Sequence, residues 1–112
     1  MGNDGNLQRW MDVVAAFNNG DTGPLSAMFD ESCSWPNVGT GREEIMARIN
    51  DLIGQGWNRH EVLSVAGTGA LLISLARNTM TDGTTWVVGG TLRFGENGKI
   101  VELYALNDPP FS

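Results

Sequence analysis

The 112-residue sequence is poor in the side chains that most often declare a chemistry, with one cysteine, one histidine and one tyrosine. The single Cys33 cannot close an internal disulfide, and one His with one Cys cannot supply the usual zinc ligands. Neither a disulfide scaffold nor a metal centre is expected. Basic residues are scarce as well, seven against thirteen acidic ones, for a formal net charge of −6. Without a Lys/Arg run, this surface repels a phosphate backbone, so nucleic acid is not an expected partner. Long apolar runs are missing too: the stretches at 70–73 and 86–88 fall far short of the roughly 20 residues of a membrane span. No charged-then-apolar leader precedes Leu7, and a reducing cytoplasm is the expected location. Gly89-Gly90 and Gly67-Thr68-Gly69 lie in strand and hairpin contexts. With no strand-to-helix turn there, they make no phosphate cradle, and no cofactor is expected.

What is present is a pattern of helices followed by strands. Leu7, Trp10, Met11, Val14 and Phe17 keep the three-and-four spacing of one buried helical stripe. Asn18-Asn19-Gly20-Asp21 stops that helix, since Gly takes the left-handed cap conformation at little cost. Pro24 opens a second, short helix with Leu25, Met28 and Phe29 on its buried side. Cys33-Ser34-Trp35 reads as a short strand halted by Pro36. Thr40-Gly41-Arg42-Glu43 has the form of a capping box and starts a third helix, with Ile45, Ile49, Leu52 and Ile53 inside and Gly54 and Gly56 at its end. After Trp57 the texture turns to Val, Leu, Ile and Thr between glycine turns, which predicts strands at 59–66, 70–80, 85–94 and 99–107. Sequential strands with short turns pair antiparallel, and helices grouped before them cover one face of the sheet. The expected class is α+β, one domain over 1–112.

This order, together with Ala15-Ala16-Phe17-Asn18-Asn19-Gly20-Asp21, Met28-Phe29 and Gly41-Arg42-Glu43-Glu44-Ile45, resembles the nuclear-transport-factor-2-like superfamily, in its ketosteroid isomerase and SnoaL-like polyketide cyclase branch. Arg93-Phe94, Gly98-Lys99-Ile100-Val101 and Tyr104-Ala105-Leu106 look like its closing hairpin. The resemblance implies a cone-shaped, cystatin-like α+β barrel, with three helices packed on a curved, mainly antiparallel sheet. It also implies an apolar pocket for a steroid, polyketide or terpenoid-sized ligand. The polar groups that such relatives use are largely replaced. Asn37 stands where the isomerases place an Asp base, and Val13 and Gly90 stand where they place the Tyr and neutral Asp of the oxyanion hole. Leu103-Tyr104-Ala105 occupies the last-strand position at which cyclases and limonene-type epoxide hydrolases carry an Asp. Trp35-Pro36-Asn37 keeps only the Asn of the hydrolases' Tyr-x-Asn pair.

Family strand parity places Leu71, Ile73, Leu75, Arg77 and Thr79, then Trp86, Val88, Gly90 and Leu92, then Val101, Leu103, Ala105 and Asn107, toward the helices. The candidate ligand-binding set is therefore Trp35, Asn37, Leu75, Arg77, Trp86, Val88, Leu103 and Asn107. Asn37 and Arg77 are the candidates for chemistry. Arg77 either clamps an anionic ligand oxygen or is a mouth or surface residue. Asn37 either orients a water or carbonyl or closes a turn, and Asn107 serves a strand-end hydrogen bond. His60, between Arg59 and Glu61 at a strand edge, reads as solvated rather than catalytic. Trp10 reads as core, Trp35 and Trp86 as pocket residues, Trp57 as either. Cys33, without a basic neighbour, reads as an inert buried thiol. On the outer face, Leu72, Ala76, Met80, Val87, Tyr104 and Leu106 suggest burial by a second subunit, hence a homodimer. The expectation is a pocket for a small hydrophobic cyclic molecule, with isomerase or cyclase chemistry if it has any. The alternative is a noncatalytic dimeric interaction module with a cavity filled by side chains.

Overall fold

A computed structural model describes residues 5–36, 38–67 and 69–107. Helix α1 spans Asn6–Asn18, α2 Gly23–Met28 and α3 Arg42–Gly54. The strands are β1 Phe29–Trp35, β2 Gly39–Thr40, β3 Trp57–Ala66, β4 Leu71–Met80, β5 Thr85–Phe94 and β6 Ile100–Ala105. They form one six-stranded sheet in the order β2-β1-β6-β5-β4-β3. Every pairing is antiparallel except β1 with β6, which is parallel. This is the expected α+β layering, three helices against a curved, mainly antiparallel sheet.

The helices form where the apolar spacing put them. In α1 the expected Trp10, Val14 and Phe17 are buried together with Val13, whereas Leu7 and Met11 of the expected stripe are exposed, and Ile45, Ile49 and Leu52 are the buried stripe of α3. Phe29 differs from expectation: it opens β1 instead of closing α2, and at 1% exposure it is central to the core with Cys33, Ile45 and Ile100. The capping box at Thr40 does not form either. The α3 N-cap is Gly41, with φ of 102° and no side-chain cap. Glu44, one residue later than the motif requires, reaches back to accept from the Thr40 N–H at 3.3 Å. Gly41 is in the left-handed region that a Thr adopts only under strain, so the helix begins one residue past the expected hydroxyl.

The strand register corrects the parity read from sequence. Asn78 pairs with Trp86, Ala76 with Val88, Ser74 with Gly90 and Leu72 with Leu92, and directly opposed residues share a face. An inward Trp86 therefore brings Asn78, Ala76, Ser74 and Leu72 inward and turns Arg77, Leu75, Ile73 and Leu71 outward. Leu75 is 43% exposed, and Arg77 lies 3.4 Å from Glu61 on the outer surface. Neither belongs to the interior. Leu72, Ala76 and Met80, expected outside, are buried. Curvature follows from register shifts in β3 and between β5 and β6, since each extra residue bends its strand. At Gly90 the β6 backbone comes so close that a Cβ would collide with the Tyr104 carbonyl oxygen, which explains a glycine there without reference to chemistry.

β3 is an edge strand, and α1 covers part of that edge. The Asn18 side chain accepts from the His60 N–H at 2.8 Å and donates to the His60 carbonyl at 2.8 Å, as a neighbouring strand would. At the other end of α1, buried Asn6 donates to the Gly69 carbonyl at 3.0 Å. Asn18→Ala removes both bonds to β3 and is expected to cost about 1–3 kcal/mol in urea unfolding. A cost below about 0.5 kcal/mol would assign the clamp no structural weight.

Candidate functional site

Between the helices and the concave face of the sheet lies an open cavity of about 890 Å³. Ser74, Ala76 and Asn78 of β4 and Trp86 and Val88 of β5 form its sheet wall, and Leu103 of β6 extends it. Trp10, Val14 and Phe17 of α1 and Ile49 and Leu52 of α3 close it from the helix side. All four Trp residues reach this space, Trp35 from β1 and Trp57 from the start of β3. Glu44 and Arg48 stand at the rim. Glu44 is exposed, and Arg48 is paired with Asp51 at 3.0 Å. Among the described lining residues Glu44 is the only carboxylate, so the interior holds no acidic side chain.

The polar part of the cavity is a chain of three side chains. Trp57 Nε1 lies 3.0 Å from Asn78 Oδ1, and His60 Nδ1 lies 2.6 Å from the same oxygen. The one Trp57 N–H is shared between Asn78 Oδ1 and the Arg59 carbonyl at 3.1 Å, with the Asn78 carbonyl oxygen turned toward it. His60 Nδ1 must then carry the proton and donate as well, which leaves the lone pair of the neutral ring on Nε2. Burial pushes the His60 pKa below its ordinary 6.5, and the Asn78 bond opposes this only in part. The ring is therefore neutral near pH 7, with its tautomer set by Trp57 and Asn78. Trp10 and Trp57 meet the imidazole edge-on, with ring centroids 6.1 and 6.2 Å away. Phe17 packs on Trp57 at 4.4 Å.

This overturns the reading of His60 as a solvated edge residue. Its charged neighbours Arg59 and Glu61 point the other way, and the signal was in the period of the strand. Arg59, Glu61 and Leu63 are exposed while His60 and Val62 are half-buried, so strict alternation sets the imidazole opposite the charges. Trp10, read as core, is 8% exposed, yet its Nε1 has no hydrogen-bond partner and neither has Ser74 Oγ. Both residues line the cavity. An unbonded buried N–H of this kind costs stability unless something else accepts it.

Of the other candidates, Trp35, Trp86, Val88, Leu103 and Asn107 line the cavity, Arg77 and Leu75 do not, and Asn37 lies outside the described residues. Asn107 spends its amide on the β5 backbone, donating to Val87 O at 2.6 Å and accepting from Gly89 N at 3.1 Å. Val13 is buried in the core. Cys33 is fully buried, and desolvation, with smaller contributions from Asp30 and Glu102, raises its pKa to about 11. Such a thiol is inert near neutral pH. No group of three or more His, Cys, Asp or Glu side chains that could hold a metal ion occurs among the described residues. No described helix is long and apolar enough to cross a membrane.

No family model matches the sequence, and no curated protein matches it by sequence. Solved structures do match. A candidate polyketide cyclase from Sinorhizobium meliloti superposes with a TM-score of 0.73 at 16% identity, over 88% of this chain and 93% of that one. Bal32a, from a soil-derived mobile gene cassette, gives 0.68 at 28% identity, over 94% and 90%. An LEH-like epoxide hydrolase of M. tuberculosis gives 0.71 at 14% identity, over 89% and 80%. Proteins described as NTF2-like are among the further matches. The chain has the NTF2-like cone fold, a scaffold that hosts ligand pockets and several unrelated reactions.

Proposed function

We propose that this NTF2-like chain, acting as one domain over 1–112, is a pocket protein for a small hydrophobic cyclic molecule of steroid, polyketide or terpenoid size. The observation that carries the reading is the open, Trp-lined cavity of about 890 Å³. Cavities of roughly 300–1,000 Å³ with a few convergent polar groups are the usual form of small-molecule sites. If the protein turns its ligand over, the reaction in this reading is an isomerisation or cyclisation of an already reactive substrate. Shape and orientation supply the acceleration, and no cofactor takes part. Epoxide hydrolysis of the limonene type fits less well, because the carboxylates it uses are replaced. The rival reading, an interaction module with a filled interior, is weakened by the open cavity and by the absence of methionine among the described residues that line it.

Native mass spectrometry of freshly purified protein tests the proposal. The expected result is a retained apolar small molecule, or one-to-one uptake of an added probe such as 2-naphthol. A bare chain that takes up nothing would refute it.

The outer sheet face supports a homodimer. Ile73 (53% exposed), Leu75, Val87, Tyr104 and Leu106 (67%) lie there without cover, and apolar groups clustered on a sheet face call for burial. Light scattering at micromolar concentration is expected to give twice the chain mass, falling to the single mass in Ile73→Lys/Leu75→Lys. A monomeric parent protein would remove the dimer.

A further inference from the structure

Asn78 leaves half of its amide unspent. Its Oδ1 accepts from the Trp57 indole at 3.0 Å and from His60 Nδ1 at 2.6 Å, both on β3. A primary amide is planar, with oxygen and nitrogen on opposite sides of Cγ, so an oxygen held by β3 turns Nδ2 away from that strand. The nitrogen keeps two N–H donors, and no acceptor meets them among the described residues. Packing does not seal it off either: the buried side-chain N and O atoms without a partner among the described residues are Trp10 Nε1 and Ser74 Oγ. Asn78 is 6% exposed and lines the cavity, so the hollow is the space its amine meets. We propose that Asn78 Nδ2 is the donor that selects ligands with a neutral carbonyl oxygen, a ring ketone or quinone, and fixes where that oxygen sits. This rests on the pocket reading above and adds the ligand's functional group and the residue that recognises it. The donor stands on β4, apart from positions Val13 and Gly90, where the isomerases that the chain resembles hold their oxyanion.

Other ligand chemistries suit this wall less well. An ammonium or another pure donor needs an acceptor, and Asn78 Oδ1 already serves two donors. An anion meets a chain carrying −6, and Arg48, the one cationic side chain among the described lining residues, is already paired with Asp51 at 3.0 Å. A hydroxyl can accept from Nδ2 but must still place its own hydrogen, whereas a carbonyl only accepts. A ligand of the same shape without the oxygen leaves the amine buried and unmet, which is the costly arrangement. Holding Oδ1 on two donors also keeps the amide from turning over, so the N–H groups are set before a ligand arrives.

The test titrates 1-tetralone and tetralin, one ring system with and without a carbonyl, into the whole protein at pH 7.5 and reads affinity by calorimetry. The preference, the tetralin Kd divided by the 1-tetralone Kd, is compared between the parent and Asn78→Leu, so that the hydrophobicity of the ring cancels. It is expected to fall about tenfold in the variant, the worth of one hydrogen bond to a buried donor. Infrared spectra of bound 1-tetralone, labelled with ¹³C at the carbonyl, give a reading that needs no variant and that a change in stability alone does not move. The carbonyl stretch is expected below its position in hexane, returning to it in Asn78→Leu. Should the leucine variant lose structure, the side-chain amide of Asn78 in ¹H–¹⁵N spectra of the parent takes its place, with 1-tetralone expected to move it further than tetralin does. A parent band at the hexane position, a preference that survives Asn78→Leu, or equal movement of the amide by both probes overturns the carbonyl contact, while tetralin binding leaves the pocket intact. Binding of neither probe overturns the pocket, and the contact with it.

Discussion

Val88→Trp is expected to lower the affinity of the cavity for 2-naphthol by roughly 70-fold while leaving the circular dichroism spectrum unchanged. Val88 sits on the sheet wall opposite Ala76, half-buried, with its free side turned into the hollow. An indole at this position enters space that no side chain now fills, so the overpacking penalty of a closed core does not arise. If it displaces about 100 Å² of ligand contact, it removes about 2.5 kcal/mol of binding, which is the stated factor. A variant that binds as the parent does would place the ligand elsewhere on the molecule.

Asn78→Leu is the second large effect, and it falls on stability. Asn78 is 6% exposed and its one carbonyl oxygen accepts from both Trp57 and His60. A leucine of similar volume leaves the His60 Nδ1–H without an acceptor, while Trp57 Nε1 keeps the Arg59 carbonyl at 3.1 Å. The expected loss is about 2–4 kcal/mol in urea unfolding, the desolvation cost of one orphaned buried donor and part of another. The pH dependence has a definite sign. The folded-state pKa of His60 lies below 6.5, so between the two values the unfolded chain binds a proton that the folded chain refuses. Stability from this residue is complete above pH 6.5 and declines as the pH falls toward the folded pKa. His60→Phe is expected to lose that slope. In Asn78→Leu the bond that raises the pKa is gone, and the decline extends to lower pH. Asp30, held down by Ser32, and Asp82, held down by Thr84, act with the same sign in a separate window below 3.8.

The scaffold was readable because it is written in local periods. The α1 stripe, the four meander strands and the turns between them each depend on neighbours within a few residues. The faces of β4 were not readable from hydropathy. Its odd positions, Leu71, Ile73 and Leu75, are more apolar than its even ones, Ser74 and Asn78 among them, yet the even ones face inward. Ordinary patterning is inverted on this strand, with polar side chains on the cavity face and apolar ones on the outer face. Register decided the matter, through the turn at 81–84 and the inward Trp86. The short β2 and the parallel β1–β6 pairing depend on contacts distant in sequence and left no local mark. At His60 the flanking charges mark the other face of the strand, because period-two geometry sends Arg59 and Glu61 to the side opposite the imidazole. Trp10 showed its helical spacing but not its unbonded N–H, which only the packing around it reveals.

The central claim is an accessible apolar hollow walled by indoles, and the most direct measurement is the set of indole N–H resonances in ¹H–¹⁵N spectra during titration with 2-naphthol. Four such side chains line the cavity. The expected result is saturable movement of these resonances at one ligand per chain. Resonances that stay still, with shifts confined to the outer face around Ile73 and Tyr104, would contradict the account.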